Sequence, residues 1–244
     1  MNAAWLALVL RAGLAEEPMS PASMPDLPPA AMADVMQMHD DAAFGMLKFD
    51  QLEHGRGDWR WEADAWYGGD FDKFWLRSEG ERDGGRLDAR VEGFWDHAFA
   101  SFWDGQLGLR RDFGAGPPRS WAAFGVQGLA PYWFEVQATA YLGAGGRTAA
   151  RLRVEYELLI TQRLILQPEL EVNLYGRSDP PRRVGAGLSD AAFGLRLRYE
   201  IRREFAPYLG LVRTQRFGRA ADFARAAGRD AASTELVAGL RFWF

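Results

Sequence analysis

The sequence predicts an all-β protein: a transmembrane antiparallel up-and-down β-barrel of about twelve strands, preceded by a short disordered or partly helical N-terminal arm. From Phe44 onward, polar and apolar residues alternate with a period of two, the pattern of strands with one apolar and one polar face. No apolar stretch approaches the roughly 20 residues that a membrane helix needs. The last segment is amphipathic and ends at the aromatic residue Phe244, which resembles the assembly signal of outer-membrane barrels.

The alternation is clearest in the stretch TAARLRVEYEL, where Leu152 and Val154 fall on one face and Arg151 and Arg153 on the other. Segments of about ten residues, the length that a tilted strand needs to cross a bilayer, recur along the chain. About twelve such segments are expected, at residues 44–54, 59–68, 72–82, 86–97, 102–112, 121–128, 134–143, 148–158, 164–175, 188–201, 207–217 and 235–244.

The connections between these segments form two sets. One set includes three long loops rich in glycine, proline or charge: FGAGPPRS, GRSDPPRRVGAG and the stretch 218–234. The other set, which includes GGD and AFAS, contains only tight turns. Long external loops and short periplasmic turns are typical of bacterial outer-membrane barrels, so we expect that location, with the N-terminal arm in the periplasm.

A soluble lipocalin-like barrel or a β-sandwich would also alternate. In those folds the charged face lies in water, where lysine, serine and threonine are expected. Here the polar face carries arginine and glutamate, and lysine occurs only at Lys48 and Lys73. Because arginine pairs with carboxylates in a planar, two-pronged geometry that suits enclosed ion networks, we expect the polar face to line a lumen.

The expected lumen is charged, balanced and narrow compared with that of 16- to 18-strand porins. Long paired side chains should therefore fill much of it and leave at most a thin polar path. The expected inward residues are Arg60, Glu62, Asp64, Lys73, Arg77, Glu79, Glu81, Arg90, Glu92, Arg110, Asp112, Glu135, Arg151, Arg153, Glu155, Glu157, Glu169, Glu171, Arg196, Arg198, Glu200, Glu235 and Arg241.

Two segments precede the expected barrel at residues 44–244. Residues 1–15 resemble a weak or truncated signal peptide, because an apolar run is followed by small residues but no basic n-region precedes it. Residues 16–43 are rich in proline, alanine and methionine without sustained periodicity. This composition predicts a flexible arm with a single helical turn near residues 31–38.

Composition and motifs exclude several functions. The net charge of -4 argues against a nucleic-acid partner, and the absence of cysteine excludes disulfides and thiolate metal sites. The three histidines, His39, His54 and His97, show no HExxH spacing, and no GxSxG motif occurs. We therefore expect no enzymatic activity.

Methionine is concentrated in and just after the arm, at Met19, Met24, Met32, Met36, Met38 and Met46. Thioether sulfur is a soft ligand that favours Cu(I), and imidazole accepts either oxidation state of copper. The sequence MQMH places two thioethers and an imidazole within four residues. This pattern predicts copper binding, with a plain flexible arm or a methionine plug of the barrel as the alternatives.

Long stretches carry a resemblance to a known family. They are HDD at 39–41, FDQLE at 49–53, WxGGDxxKxWLRSEGER at 66–82, WAAFGVQGLAPYWFEVQATAYLG at 121–143, GGRTAARLRVEYELLITQRLILQPELEVNLYG at 145–176, GLSDAAFGLRLRYEIRREFAPYLG at 187–210 and VAGLRFWF at the end. Over residues 39–244 the chain thus resembles the copper resistance protein B family of Gram-negative outer membranes.

The resemblance implies copper tolerance, with copper bound as Cu(I) or Cu(II) by methionine- and histidine-rich N-terminal segments. Carried over to this chain, it implies Met32, Met36, Met38 and His39 as ligands, with Met19, Met24 and Met46 as weaker candidates. Many family members have much longer repeats, so this short arm argues against high-capacity storage. The expected partners are copper, outer-membrane lipid and periplasmic copper-binding proteins.

Two functions therefore compete. In the first, the periplasmic arm captures copper and the barrel anchors the arm or passes copper outward. In the second, the barrel is a general small-solute channel and the methionines are incidental. An outer-membrane enzyme is the least supported, because the sequence offers no credible catalytic triad.

Overall fold

The computed structural model of the chain describes residues 42–244, apart from residues 56, 84 and 115. They form one antiparallel sheet of thirteen strand segments. The segments are β1 (Phe44–Gly55), β2 (Asp58–Gly68), β3 (Asp72–Asp83), β4 (Arg86–Ala100), β5 (Trp103–Phe113), β6 (Arg119–Ala130), β7 (Phe134–Gly143), β8 (Arg147–Glu155), β9 (Leu158–Leu159), β10 (Leu164–Tyr175), β11 (Gly187–Tyr199), β12 (Phe205–Arg216) and β13 (Ala232–Trp243).

The sheet closes into a barrel because β1 pairs with both β2 and β13. β8 and β9 both pair with β10 and share one position, so the ring has twelve positions. The break between them lies beside Pro168, whose carbonyl accepts a bond from the Tyr156 backbone N–H at 3.1 Å but which has no N–H to donate in return. The predicted antiparallel up-and-down barrel of about twelve strands is confirmed.

The two ends of the barrel differ. The end at which β1 begins and β13 ends carries short connections, and we name it the turn end. The opposite end, the loop end, carries the long connections from β5 to β6, from β10 to β11 and from β12 to β13. Three-residue 3-10 turns at Pro131–Trp133 and Pro180–Arg182 lie at the turn end and the loop end, respectively. This asymmetry is the one that the sequence predicted.

The last loop contains a helix, α1 (Gly218–Ala226), that the alternation analysis did not predict. It buries Ala220, Ala221 and Ala224, which share one face at helical spacing, and it packs against β11. Among the described residues, no helix is long and apolar enough to cross a membrane.

Strand ends differ from the predicted ones by a few residues. β6 begins at Arg119, which pairs with Asp112, and β13 begins at Ala232, which pairs with Gln215. These additional pairs lie where the residues are small or polar. Backbone pairing extends there without an apolar face, so alternation could not reveal it.

The outer face of the barrel is apolar. Leucines stand exposed around it, including Leu107, Leu109, Leu142, Leu209, Leu211 and Leu236. Exposed aromatic rings cluster at the turn end, at Tyr67, Phe71, Phe99, Phe102, Tyr132, Trp133, Tyr199 and Phe244. An apolar belt with an aromatic girdle is typical of a barrel whose outer surface contacts lipid, because amphipathic rings favour the boundary between lipid and water.

Candidate functional site

The lumen is the candidate functional site, because strand alternation directs the charged side chains into it. A soluble protein rarely buries such groups unless they are paired. The buried charged residues are Glu53, Glu62, Asp64, Arg77, Glu92, Asp96, Arg110, Asp112, Arg151, Arg153, Glu169, Asp179, Arg196 and Arg198. Eleven of these fourteen belong to the set expected from the sequence.

Ion pairs bridge the lumen from wall to wall. Arg153 on β8 pairs with Glu62 on β2, directly opposite in the ring of twelve. Arg151 donates from Nη1 to Glu79 Oε1 on β3 at 2.5 Å, and from Nη2 to Glu171 Oε2 on β10 at 2.7 Å. These bridges, which we name the waist, fill the cross-section as the sequence predicted.

A second cluster joins β1 to β10, β11 and β12. Arg196 donates from Nε to Glu53 Oε2 at 3.2 Å and from Nη1 to Glu169 Oε2 at 2.7 Å. Its Nη2 donates to Gln51 Oε1 at 3.0 Å, and the Tyr208 hydroxyl donates to Glu53 Oε2 at 3.2 Å. Glu53 therefore accepts charge-assisted bonds from one cation and a further bond from a phenol, an arrangement that fixes its position.

Between the waist and the loop end lies a cavity of about 440 Å³. Its wall includes part of the loop between β10 and β11, residues 176–186, which we name the strap. Asp179 of the strap accepts two bonds from Arg119, at 2.9 and 3.3 Å. Arg182 donates to Asp88 Oδ1 at 3.1 Å and to the Pro117 carbonyl at 3.3 Å. The strap thus reaches from its own strands to those on the far side of the mouth.

The rim beside the strap is rich in arginine. Arg183 adopts a left-handed backbone conformation with φ of 60°. Partial desolvation and the nearby charges of Arg86 and Arg229 lower the pKa of the Arg183 guanidinium below its ordinary value. Three like charges, from the strap, the start of β4 and the last loop, therefore lie near one another at this rim.

Of the predicted copper ligands, the structure describes Met46 alone. Met46 is half-buried in β1, in register with Trp66 of β2. Met19, Met24, Met32, Met36, Met38 and His39 lie outside the described residues. The structure therefore brings none of these candidates together.

The two described histidines lie on the outer face. The His54 ring is 4.8 Å from the Trp59 ring, and His97 Nδ1 is 2.9 Å from Asp72 Oδ1 at the exposed turn end. Within residues 42–244 as described, Met46 supplies the one thioether. Neither imidazole in this range faces the lumen. The barrel interior is thus a site of oxygen and guanidinium groups rather than of soft copper ligands.

Three buried acids were absent from the predicted set. Glu53 and Asp96 face inward by the same alternation as their neighbours Gln51 and Phe94, so the pattern contained their signal. Asp179 lies in the strap, where no periodicity indicates orientation. Of the predicted inward residues, Glu135 lies exposed at the turn end of β7.

Comparison with known proteins identifies the family. The family model described as "Copper resistance protein B precursor (CopB)" matches residues 43–244, which is the whole described barrel. The chain belongs to the copper resistance protein B family. A copper resistance protein B homolog of Pseudomonas syringae pv. tomato (strain ATCC BAA-871 / DC3000) is 48% identical over 213 residues, or 85% of this chain and 72% of that protein. Copper resistance protein B of Escherichia coli is 43% identical over 242 residues, or 93% of this chain and 82% of that protein.

Solved structures similar to this copper resistance protein B family member are outer-membrane porins. The NanC porin matches 82% of this chain and 99% of its own, with a TM-score of 0.54 and 12% identity. The KdgM porin matches the same shares with a TM-score of 0.50 and 14% identity. At this identity the likeness shows the fold alone, which is a closed antiparallel β-barrel like theirs. The family and this fold favour a protein without enzymatic activity.

Proposed function

We propose that this protein supports copper resistance by binding copper through its Met- and His-rich arm and sequestering it or aiding its export. The family and its two named relatives support the role in copper resistance. The proposed ligands are Met32, Met36, Met38 and His39, with Met19, Met24 and Met46 contributing more weakly.

One observation supports placing the copper ligands in the arm. The described barrel offers a single thioether, Met46, and its two histidines face outward, whereas the remaining methionines precede residue 42. Copper bound by soft ligands therefore needs the arm. Because β1 begins at the turn end, the arm joins the barrel there, and we place that end in the periplasm by the usual asymmetry of such barrels.

The waist supports a barrel that holds the arm rather than one that passes solutes freely. Arg153 and Glu62 meet across the full width of the lumen, and Arg151 with Glu79 spans it again. Free diffusion of small solutes would require these buried pairs to separate, which is costly because each partner would be left as an unpaired charge. We therefore propose capture at the turn end, with periplasmic copper-binding proteins and outer-membrane lipid as the neighbours.

The deciding experiment is copper titration of the purified full chain. In a variant carrying Met32→Ser, Met36→Ser, Met38→Ser and His39→Ala, we expect loss of Cu(I) binding while heat-modifiable electrophoretic mobility stays that of a folded barrel. The comparison variant is Met46→Ser, which should retain most of the bound Cu(I). Unchanged Cu(I) stoichiometry in the arm variant would refute the proposal.

A general small-solute channel is the competing function. Recording from the full chain in planar bilayers separates the two. The waist predicts little conductance with or without copper, whereas sizeable copper-independent conductance would favour the channel.

A further inference from the structure

Asp96 differs from the other buried acids of the described chain. Glu53, Glu62, Asp64, Glu92, Asp112, Glu169 and Asp179 each lie within 4 Å of an arginine. Asp96 is on β4, is 0% exposed and has no cationic partner at that distance within the described residues. Burying a carboxylate without a cation costs free energy. A cation beside Asp96 would therefore stabilise it.

The bonds of Asp96 are confined to one oxygen. Oδ2 accepts from Gln106 Nε2 at 2.9 Å and from Gln127 Nε2 at 2.8 Å. Both glutamines in turn accept from Arg77, whose Nε lies 3.5 Å from Asp64 Oδ1. Asp96 Oδ1 is buried and has no hydrogen-bond partner in the described part of the chain. Arg77 therefore lies within 4 Å of Asp64, whereas its hydrogen bonds reach Asp96 through the two glutamine side chains.

A second carboxylate, that of Asp104, lies on the same face of the wall as Asp96. In the β4–β5 register Asp96 pairs with Gln106 and Ala98 with Asp104, so Asp96 and Asp104 are diagonal neighbours on the inward face. Asp104 is half-buried and forms no hydrogen bond or ion pair among the described side chains. Lys73 is the register partner of Asp96 on β3, but its Nζ donates to the Asp70 carbonyl at 3.1 Å.

We infer that Asp96 and Asp104 bind a divalent cation at the turn end of the lumen. Asp104 is the second residue of β5 and partly exposed, so a cation can enter beside the short turn between β4 and β5. Both donors are carboxylate oxygens, which suit Cu(II), Ca²⁺ or Mg²⁺ better than Cu(I). The site is separate from the proposed arm ligands and does not depend on them.

The other cluster of acids in the lumen has a cation of the protein beside each acid. Asp50, Glu62 and Asp64 have carboxylate oxygens within 4.8 Å of one another. However, Lys48 lies 2.8 Å from Asp50, Arg153 pairs with Glu62 and Arg77 is near Asp64. Cations of the protein already compensate this cluster, which leaves Asp96 and Asp104 as the cation site.

The test uses the full chain with the four arm substitutions, so that copper bound by the arm does not mask the barrel site. Cu(II) is titrated and followed by electron paramagnetic resonance. We expect one Cu(II) per chain with an oxygen-rich spectrum, lost on Asp96→Asn and retained on Asp112→Asn. Asp112 is a matched buried acid already bonded to Arg110 and Trp121.

Two further measurements complete the test. If Asp96→Asn does not fold, Asp104→Asn serves instead, because this half-buried acid has no bonds to lose and must also abolish binding. Excess Ca²⁺ or Mg²⁺ that displaces Cu(II) would identify an alkaline-earth ion as the ligand, and persistence of the signal would identify copper. A Cu(II) signal unchanged by both substitutions, or the absence of both Cu(II) and Ca²⁺ binding in the arm variant, would overturn the inference. Either result leaves the arm proposal unaffected, since that one is decided by Cu(I) binding.

Discussion

The two faces of the barrel wall show how one alternating sequence meets two environments. On β8, Arg151 and Arg153 are buried in the lumen, whereas Leu152 between them is exposed on the outer face. The outer face needs only apolar groups that lipid tolerates, so one apolar side chain can replace another there. The inner face needs partners at defined positions, since burying a charge without its opposite costs free energy. The inner face therefore determines the cross-section of the barrel, whereas the outer face determines only that the barrel contacts lipid.

The largest expected effect follows from breaking the waist. Arg153→Ala leaves Glu62 without its cation and removes a partner 3.5 Å from Glu155 and 3.4 Å from Glu169. We expect a loss of about 3–5 kcal/mol in the free energy of unfolding, because Glu62 stays buried without a cation, although Glu169 keeps its bond to Arg196. Urea unfolding in lipid vesicles measures it.

The matched control for this change is Arg111→Ala. Arg111 lies exposed on β5 and contacts Ser120, so its removal should cost within about 0.5 kcal/mol. Removing Glu62 together with Arg153 should cost less than removing Arg153 alone. Equal losses for Arg153→Ala and Arg111→Ala would show that the inner pairs do not determine the stability of the wall.

The outer face is tested by placing a charge in the apolar belt. Leu211 lies near the middle of β12 and is 51% exposed. Leu211→Arg should cost about 2–4 kcal/mol in vesicles, because a charged group at mid-depth must leave water for hydrocarbon. Leu211→Ala is the control, with a smaller cost because it adds no charge. The same cost for the two variants would mean that this surface does not contact lipid.

The difference between the faces also explains what the sequence could predict. Period-two alternation indicates the orientation of strand residues except at β-bulges such as the one between Phe49 and Gln51, so the strands and most lumen charges followed from it. It cannot say which charges meet, since Arg153 and Glu62 are brought together only when the sheet closes. The absence of a cation beside Asp96 was therefore invisible in the sequence.

Loops lack this alternation, so the sequence predicts their structure less well. Helix α1 was missed although Ala220, Ala221 and Ala224 have helical spacing, because a nine-residue run inside a loop is a weak signal. The strap gave no signal at all: Asp179 is buried by contacts with Arg119 and Arg147, which lie in distant parts of the chain.

The smallest expected effect comes from loosening the strap, which covers the mouth of the barrel rather than forming its wall. The chain has no cysteine, so Thr214→Cys places a single thiol in the cavity wall. Arg119→Ala removes the two-pronged pair with Asp179, which contributes at least about 1.5 kcal/mol, so the state in which the strap has left the mouth should become about tenfold more populated. We expect a membrane-impermeant maleimide to label the thiol correspondingly faster, with Arg111→Ala as the control.

The outcome distinguishes two barriers along one lumen. Faster labelling without a gain in bilayer conductance would place the barrier to solutes at Arg153 and Glu62, below the strap. Faster labelling with a gain in conductance would mean that the strap, and not the waist, limits passage. An unchanged labelling rate would show that the contacts of Arg182 with Asp88 and Pro117 hold the strap without Arg119. In that case the ion pair of Arg182 with Asp88, and not that of Arg119 with Asp179, would hold the cover of the lumen.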